Sequence, residues 1–336
     1  MRKLSTAALL VGVLALACPL AAQQVCPGFS IVVDTPEDVL MLAVNGAETP
    51  QEQIAALEKF TQEYPDSKFM PCVHEYFTMT YMKLNDYAKV IEHGEKGLSG
   101  EHKDAMLMLN TVKAYVASNQ VSDGAYEIIR GALPVIKTEN TPSRPANISD
   151  EEYKEIADQA EAQAKDQRGY MEYAFFQLLQ READANKRIQ WLTGFAEAYP
   201  ESANAAQIDF HFYLAYKMAN DAAKAEEYGE KAIASDPNNI VTLNLVADDY
   251  ATRQTDLDKA ETYAKKALDL APTLAKPAGM ADEQFMAYQN QQMGMARLSL
   301  GDVAFQRGAK TRRYIPAIDQ FKLAVDLLEA NPALQG

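Results

Sequence analysis

Apolar residues recur along this chain at the three-to-four-residue spacing of amphipathic helices, in blocks that come in pairs. Between Gln207 and Pro237, Phe212, Tyr213 and Tyr216 fall on one face of a first helix. Asn220 and Asp221 make a polar turn. Ala225, Gly229 and Ala232 line the inner face of a second helix, and Pro237 follows its end. Thr35-Pro36-Glu37-Asp38 and Thr49-Pro50-Gln51-Glu52 each carry the cap, proline and acid of a helix start. The same spacing predicts seven helical hairpins, ending near Pro65, Ser99, Val135, Pro200, Pro237, Pro272 and Pro332. The fourth and seventh have long first helices. One opens on a Ser149/Glu152 capping box and runs to about Ala183, with Tyr170, Tyr173, Phe176 and Leu179 as an apolar stripe. The other starts at Ala281. KTENTPSRPAN, broken by Pro142 and Pro145, is a loop. No strand-like alternation follows Val33, so the fold class is all-α.

The pattern repeats at a larger scale. QIAALEKFTQEYPDS from Gln53 and RIQWLTGFAEAYPES from Arg188 share Ile54/Ile189, Leu57/Leu192, Phe60/Phe195, Tyr64/Tyr199 and Pro65/Pro200, an offset of 135. It continues through Phe77/Phe212, Tyr81/Tyr216, Asp86/Asp221 and Gly94/Gly229. RPANISDEEY and KPAGMADEQF match at an offset of 132. These offsets predict a tandem duplication of a block of several hairpins. Tyr81, Tyr115, Tyr216 and Tyr250 occupy equivalent places and are expected to be core pegs. Gly94 and Gly229, mid-helix where glycine costs about 1 kcal/mol, are expected to mark close helix approaches.

Phe212, Tyr213, Tyr216, Ala225, Ala232 and Pro237 resemble the pattern of one tetratricopeptide (TPR) repeat, with Gly229 where that family usually has a bulky residue. The resemblance implies a right-handed α-solenoid of about seven TPR-like hairpins with the duplication inside it. The organisation would be a signal peptide (1–22), an extended lead-in (23–34), hairpins one to three (35–135), a loop (136–148), an elongated fourth hairpin (149–200), hairpins five and six (201–272) and an elongated last hairpin (273–336). It also implies a concave groove lined by first helices. By position, that groove would present Glu75, Met79 and Lys83, then Phe210, Leu214 and Lys217, then Asn244 and Asp248. Glu75 and Met79 do not fit the basic clamp with which some TPR domains hold acidic chaperone tails. The mixed lining suits an apolar helix or an extended peptide.

Arg2 and Lys3 precede an apolar run from Ala7 to Ala17, the layout of a secretory signal peptide too short to cross a bilayer. Cleavage after Ala22 competes with cleavage after Ala17 and with lipidation of Cys18. The chain carries a formal net charge of −15, and removing residues 1–22 takes away two cations and no acid. So acidic a chain excludes nucleic acid and anionic lipid as general partners. Export permits a disulfide between Cys26 and Cys72, which are 46 residues apart; two unpaired thiols are the alternative.

Catalytic chemistry is missing. No phosphate-binding glycine loop, H-E-x-x-H or G-x-S-x-G occurs, and His74, His93, His102 and His211 lack metal-ligand spacing, so they are surface or packing residues. Asp150-Glu151 and Asp282-Glu283 sit where helix starts favour negative charge. Trp191 lies among Ile189, Leu192 and Phe195, as a core residue or, more sharply, a sugar-stacking platform. The reading is a non-enzymatic exported TPR scaffold with a protein or peptide partner. It has no cofactor, metal or membrane span, and it belongs in a bacterial periplasm, at the outer membrane or outside the cell. A peptide or glycan receptor and an envelope-assembly lipoprotein are the alternatives.

Overall fold

The structure, a computed structural model, describes residues 31–100 and 103–329. The predicted signal peptide, Cys18, Cys26 and His102 lie outside the described residues. The chain divides into two compact units, Met1–Phe175 and Phe176–Gly336. The first holds α1 (Pro36–Gly46), α2 (Pro50–Glu63), α3 (Met70–Leu84), α4 (Tyr87–Leu98), α5 (Ala105–Ala117), α6 (Asp123–Glu139) and most of α7 (Asp150–Leu179). The second holds α8 (Ala185–Ala198), α9 (Ala205–Met218), α10 (Ala222–Ser235), α11 (Ile240–Arg253), α12 (Leu257–Leu270), α13 (Asp282–Thr311) and α14 (Ile315–Glu329). The described residues are thus all-α, with fourteen α-helices packed as sequential, TPR-like hairpins. From α1 to α6 and from α8 to α14 each helix packs on the next in sequence, and first helices also meet across hairpins, α3 on α5 and α11 on α13.

Local chemistry sets the ends of these helices. Thr49 and Glu52 exchange the two hydrogen bonds of a capping box, and Ser149 and Glu152 do the same before α7. Asn85 and Asn220 take left-handed backbone at φ 56° and 57°, which asparagine tolerates, and Asp86 and Asp221 then cap the second helices. One boundary differs from expectation. α6 does not stop at Val135 but runs through Pro134 to Glu139. Ile136 is 2% exposed, and Glu139 accepts the Ala105 N–H at the start of α5, so burial and a cap hold the extra turn. α7 in turn ends at Leu179, short of Ala183, because Asp184 caps α8.

Residues 135 apart make the same contacts. Phe77 stacks on Tyr81 at 6.0 Å, and Phe212 on Tyr216 at 6.1 Å. Glu92 bridges Lys89 and Lys96, and Glu227 bridges Lys224 and Lys231. Tyr115 donates to Glu95 as Tyr250 does to Glu230. The four expected tyrosine pegs are not alike, however. Tyr115 and Tyr250 are buried, whereas Tyr81 and Tyr216 are half-buried beside the turns and stack on α4 and α10 through His93 and Tyr228.

Gly94 and Gly229 do sit at close approaches, but of different severity. A Cβ on Gly94 would collide with Oγ1, Cγ2 and Cβ of the fully buried Thr111, whose hydroxyl is tied to the Leu107 carbonyl. A Cβ on Gly229 would meet Val246 Cγ2 at 3.0 Å and Tyr213 at 3.3 Å. Gly94→Ala is therefore expected to destabilise by about 1–3 kcal/mol despite alanine's better helix propensity. Gly229→Ala should stay nearer neutral. Urea unfolding of both variants checks this, and a Gly94→Ala protein as stable as the parent would refute the packing account.

Candidate functional site

In the second unit, first helices meet through a polar and aromatic strip. Tyr213 on α9 is 1% exposed, and its hydroxyl donates to the Leu245 carbonyl at 2.9 Å and to Asp249 Oδ2 at 2.6 Å on α11. Burial, then the Asp249 contact, raises the phenol above its ordinary range. Lys217 pairs with Asp249 at 2.5 Å. Burial lifts Asp248 above the usual carboxylate range, against the pull of Lys217, and lifts Asp302 of α13 with help from Asp248. Asn244 reaches across to α13, donating to the carbonyl and the Oε1 of Gln292, both at 3.0 Å.

The expected groove residues therefore separate. Lys83 and Lys217 are exposed, and Met79, Phe210, Leu214 and Asp248 are half-buried. Glu75 and Asn244 are 3% and 1% exposed. They lie inside the helix packing, because first helices touch directly at α3·α5 and α11·α13 and cover the middle of each face. Neither is open to an incoming partner.

A cleft of about 490 Å³ opens in the first unit between two first helices, α5 and α7. Met106, Leu109 and Tyr170 supply its apolar surface, Lys113 a cation, and Gln163 and Asp166 polar rims. Lys113 Nζ stands 5.4 Å from the Tyr170 ring centroid. Its floor is fixed by Gln167, buried and bonded to Asn140 after α6. The expected groove residues omit this cleft. Tyr170 stood out in the sequence only as part of a greasy stripe, and nothing in the spacing says that α7 would lie against α5.

Trp191 is 2% exposed, a core residue whose faces offer no sugar platform. His93 and His211 are buried, and His74 Nδ1 lies 3.1 Å from His93 Nδ1, a pair within the α3–α4 packing. Among the described residues no cluster of three or more His, Cys, Asp or Glu side chains could hold a metal, and no helix is long and apolar enough to cross a membrane. Cys72 is fully buried at the start of α3 and is disulfide-bonded.

No family model and no curated protein matches the chain. Among solved structures, the C-terminal part of a TPR repeat-containing protein from Cytophaga hutchinsonii is 14% identical, with 89% of this chain and 96% of that one covered and a TM-score of 0.43. The apo form of RapI is 11% identical over 86% and 83%, at a TM-score of 0.38. A tetratricopeptide repeat protein from Parabacteroides merdae is 14% identical over 86% and 96%, at 0.30. Similarity this low carries nothing about partners, and the description of the fold rests on the chain's own helices.

Proposed function

We propose that this chain is a non-enzymatic, exported scaffold that holds a peptide segment of another protein against the first helices of its hairpins. The cleft between α5 and α7 carries the reading. Its methionine, leucine and tyrosine walls can take apolar side chains of varied shape, while Gln163, Asp166 and Lys113 can meet main-chain groups and charge. Lys83, Lys217, Phe210 and Leu214 extend the same kind of lining along other first helices. The test is selection of peptides from a random library on the mature protein, followed by calorimetric titration of the best binder. Lys113→Glu and Tyr170→Ala are each expected to weaken it about tenfold or more. Undiminished affinity in both would move the site elsewhere.

Two further proposals complete this reading. Matched contacts at the 135-residue offset, with Arg144–Asp150 and Lys276–Asp282 ion pairs at the 132-residue offset, support descent by tandem duplication of a multi-hairpin block. A structure-based alignment that paired the two units better at another register would argue against it. Export and the bond at Cys72 together favour Cys26 as its partner, with Cys18 lost in the cleaved leader. The bridge would close a 46-residue loop and contribute on the order of 3–4 kcal/mol. Peptide mapping of unreduced mature protein should recover a Cys26–Cys72 linked pair. Two free thiols, or a Cys18–Cys72 linked pair, would defeat that assignment.

A further inference from the structure

The second unit has another cleft, on the side of the second helices. It measures about 650 Å³ and lies between α12, α13 and α14, within the size range of ligand sites. Four cations line it, Lys265, Arg297, Arg307 and Arg313, against one acid, Glu261. That is the reverse of the chain's balance, which stands at −15.

The local pairs do not neutralise the cleft. Glu261 takes Lys265 and Arg307 at 2.5 Å each, and Asp258 takes the other arm of Arg307. Arg297 donates at 2.8 Å to Gln320, a neutral amide. Arg313 is exposed and lines the cleft from the turn before α14. Two guanidinium groups thus lack a carboxylate partner among the described residues, and the guanidinium fork is the shape that grips a carboxylate with two parallel bonds.

The wall between these cations is apolar. Leu300 and Val303 come from α13, and Pro316 from α14. Leu268 of α12 and Ala304 of α13 are half-buried and Pro316 is exposed, so part of this wall is open. Cations and apolar side chains thus share one cleft.

We propose that the α12–α14 cleft is a docking site for an acidic, amphipathic peptide segment of a partner protein, with its carboxylates on Arg297 and Arg313 and its aliphatic side chains against Leu268, Ala304 and Pro316. Charge complementarity chooses this occupant. A second copy of the chain would bring its own negative charge, but only a segment with acids beside aliphatic residues satisfies both halves of the surface. A bare anion would leave the apolar half uncovered. The site is separate from the first-helix cleft and does not depend on it.

The experiment uses the full mature chain and three probes: a labelled helix-forming peptide of Leu and Glu about 14 residues long, the matched peptide with Gln for Glu, and laurate. Fluorescence anisotropy should show saturable binding of the Leu/Glu peptide, about tenfold or more tighter than the Leu/Gln peptide. The affinity should fall as salt rises from about 50 to about 300 mM. Arg297→Gln with Arg313→Gln should weaken binding about tenfold or more, whereas Lys59→Gln, an exposed residue on α2, should not change it. Arg313→Gln alone, at an exposed position outside the core, should weaken it with an unchanged Tm, which separates lost contacts from lost folding. Equal binding of the two peptides, or full affinity in the double variant, overturns the proposal. Laurate binding that depends on both arginines, without peptide binding, also overturns it, in favour of a lipid carboxylate.

Discussion

Lowering the pH from neutral to about 4 is expected to destabilise the folded chain by roughly 3 kcal/mol for each of two buried histidines, His93 and His211. Both are held down to about 4 from the ordinary 6.5, chiefly by burial. For His93 the neighbouring His74 imidazole adds to this, with Lys96 and Lys89 acting the same way and Glu92 against them. For His211 the second cause is Arg188, which is 8% exposed and stands close by. His74 is also lowered to about 4 by burial and by Lys96, but it is half-exposed and its share is smaller. The sign follows from proton binding. A histidine with a depressed folded pKa stays neutral in the fold while the unfolded chain takes up a proton. Stability is complete above pH 6.5 and is lost as the pH falls from there towards 4. Asp209, Asp248 and Asp302, all raised by burial, work against the loss in the lower part of that window. Glu92 and Glu227, exposed and held near 2 by their lysine partners, add to the loss once the pH falls below their ordinary 4.5. Urea unfolding at several pH values, read beside NMR titration of the imidazoles, makes the measurement. Flat stability from neutral pH to 5, or imidazoles titrating near 6.5, would end the argument.

Tyr213→Ala is expected to cost about 3–5 kcal/mol in the second unit. The ring is 1% exposed in a cluster with Ala225, Leu243 and Val246, and it lies beside Phe210 at 6.2 Å. It also fills the space that Gly229 leaves between α9 and α10. Truncation opens a cavity there and removes the donor to the Leu245 carbonyl and Asp249. Tyr213→Phe separates the two effects, since it keeps the ring and leaves those acceptors without their hydroxyl, at about 1–3 kcal/mol. Equilibrium denaturation of both variants reads the difference. A loss of less than about 1 kcal/mol in the alanine variant would mean that the neighbouring helices collapse onto the gap.

Helix existence was legible along nearly the whole described chain, because each helix carries its own start and stop. Thr49 with Glu52, Ser149 with Glu152, and the Asn–Asp turns at 85–86 and 220–221 act within a few residues, and a local pattern is enough to read them. The seven hairpins follow from the same signals. The end of α6 was not legible, because it is set by Glu139 reaching the start of α5, thirty-four positions away. Gly294, Gly301 and Gly308, seven residues apart, drew no expectation from the sequence. Their role appears only where Leu328 and Phe321 of α14, and the Arg313 carbonyl in the turn before it, come against those positions.

The candidate sites divide along the same line. Sequence position placed Glu75 and Asn244 on first helices, which is where they are, and it could not tell that neighbouring first helices would bury both. It gave the four cations as four separate residues scattered from 265 to 313. Their meeting in one cleft depends on how α12, α13 and α14 pack. The sequence by itself determined the all-α class, the hairpins, the turn chemistry and the recurrence at 135 residues, since caps, prolines and apolar spacing act over one or two helical turns. Only the tertiary structure decided which faces are covered and which charges lie together, because those depend on contacts between residues tens of positions apart that no local pattern encodes.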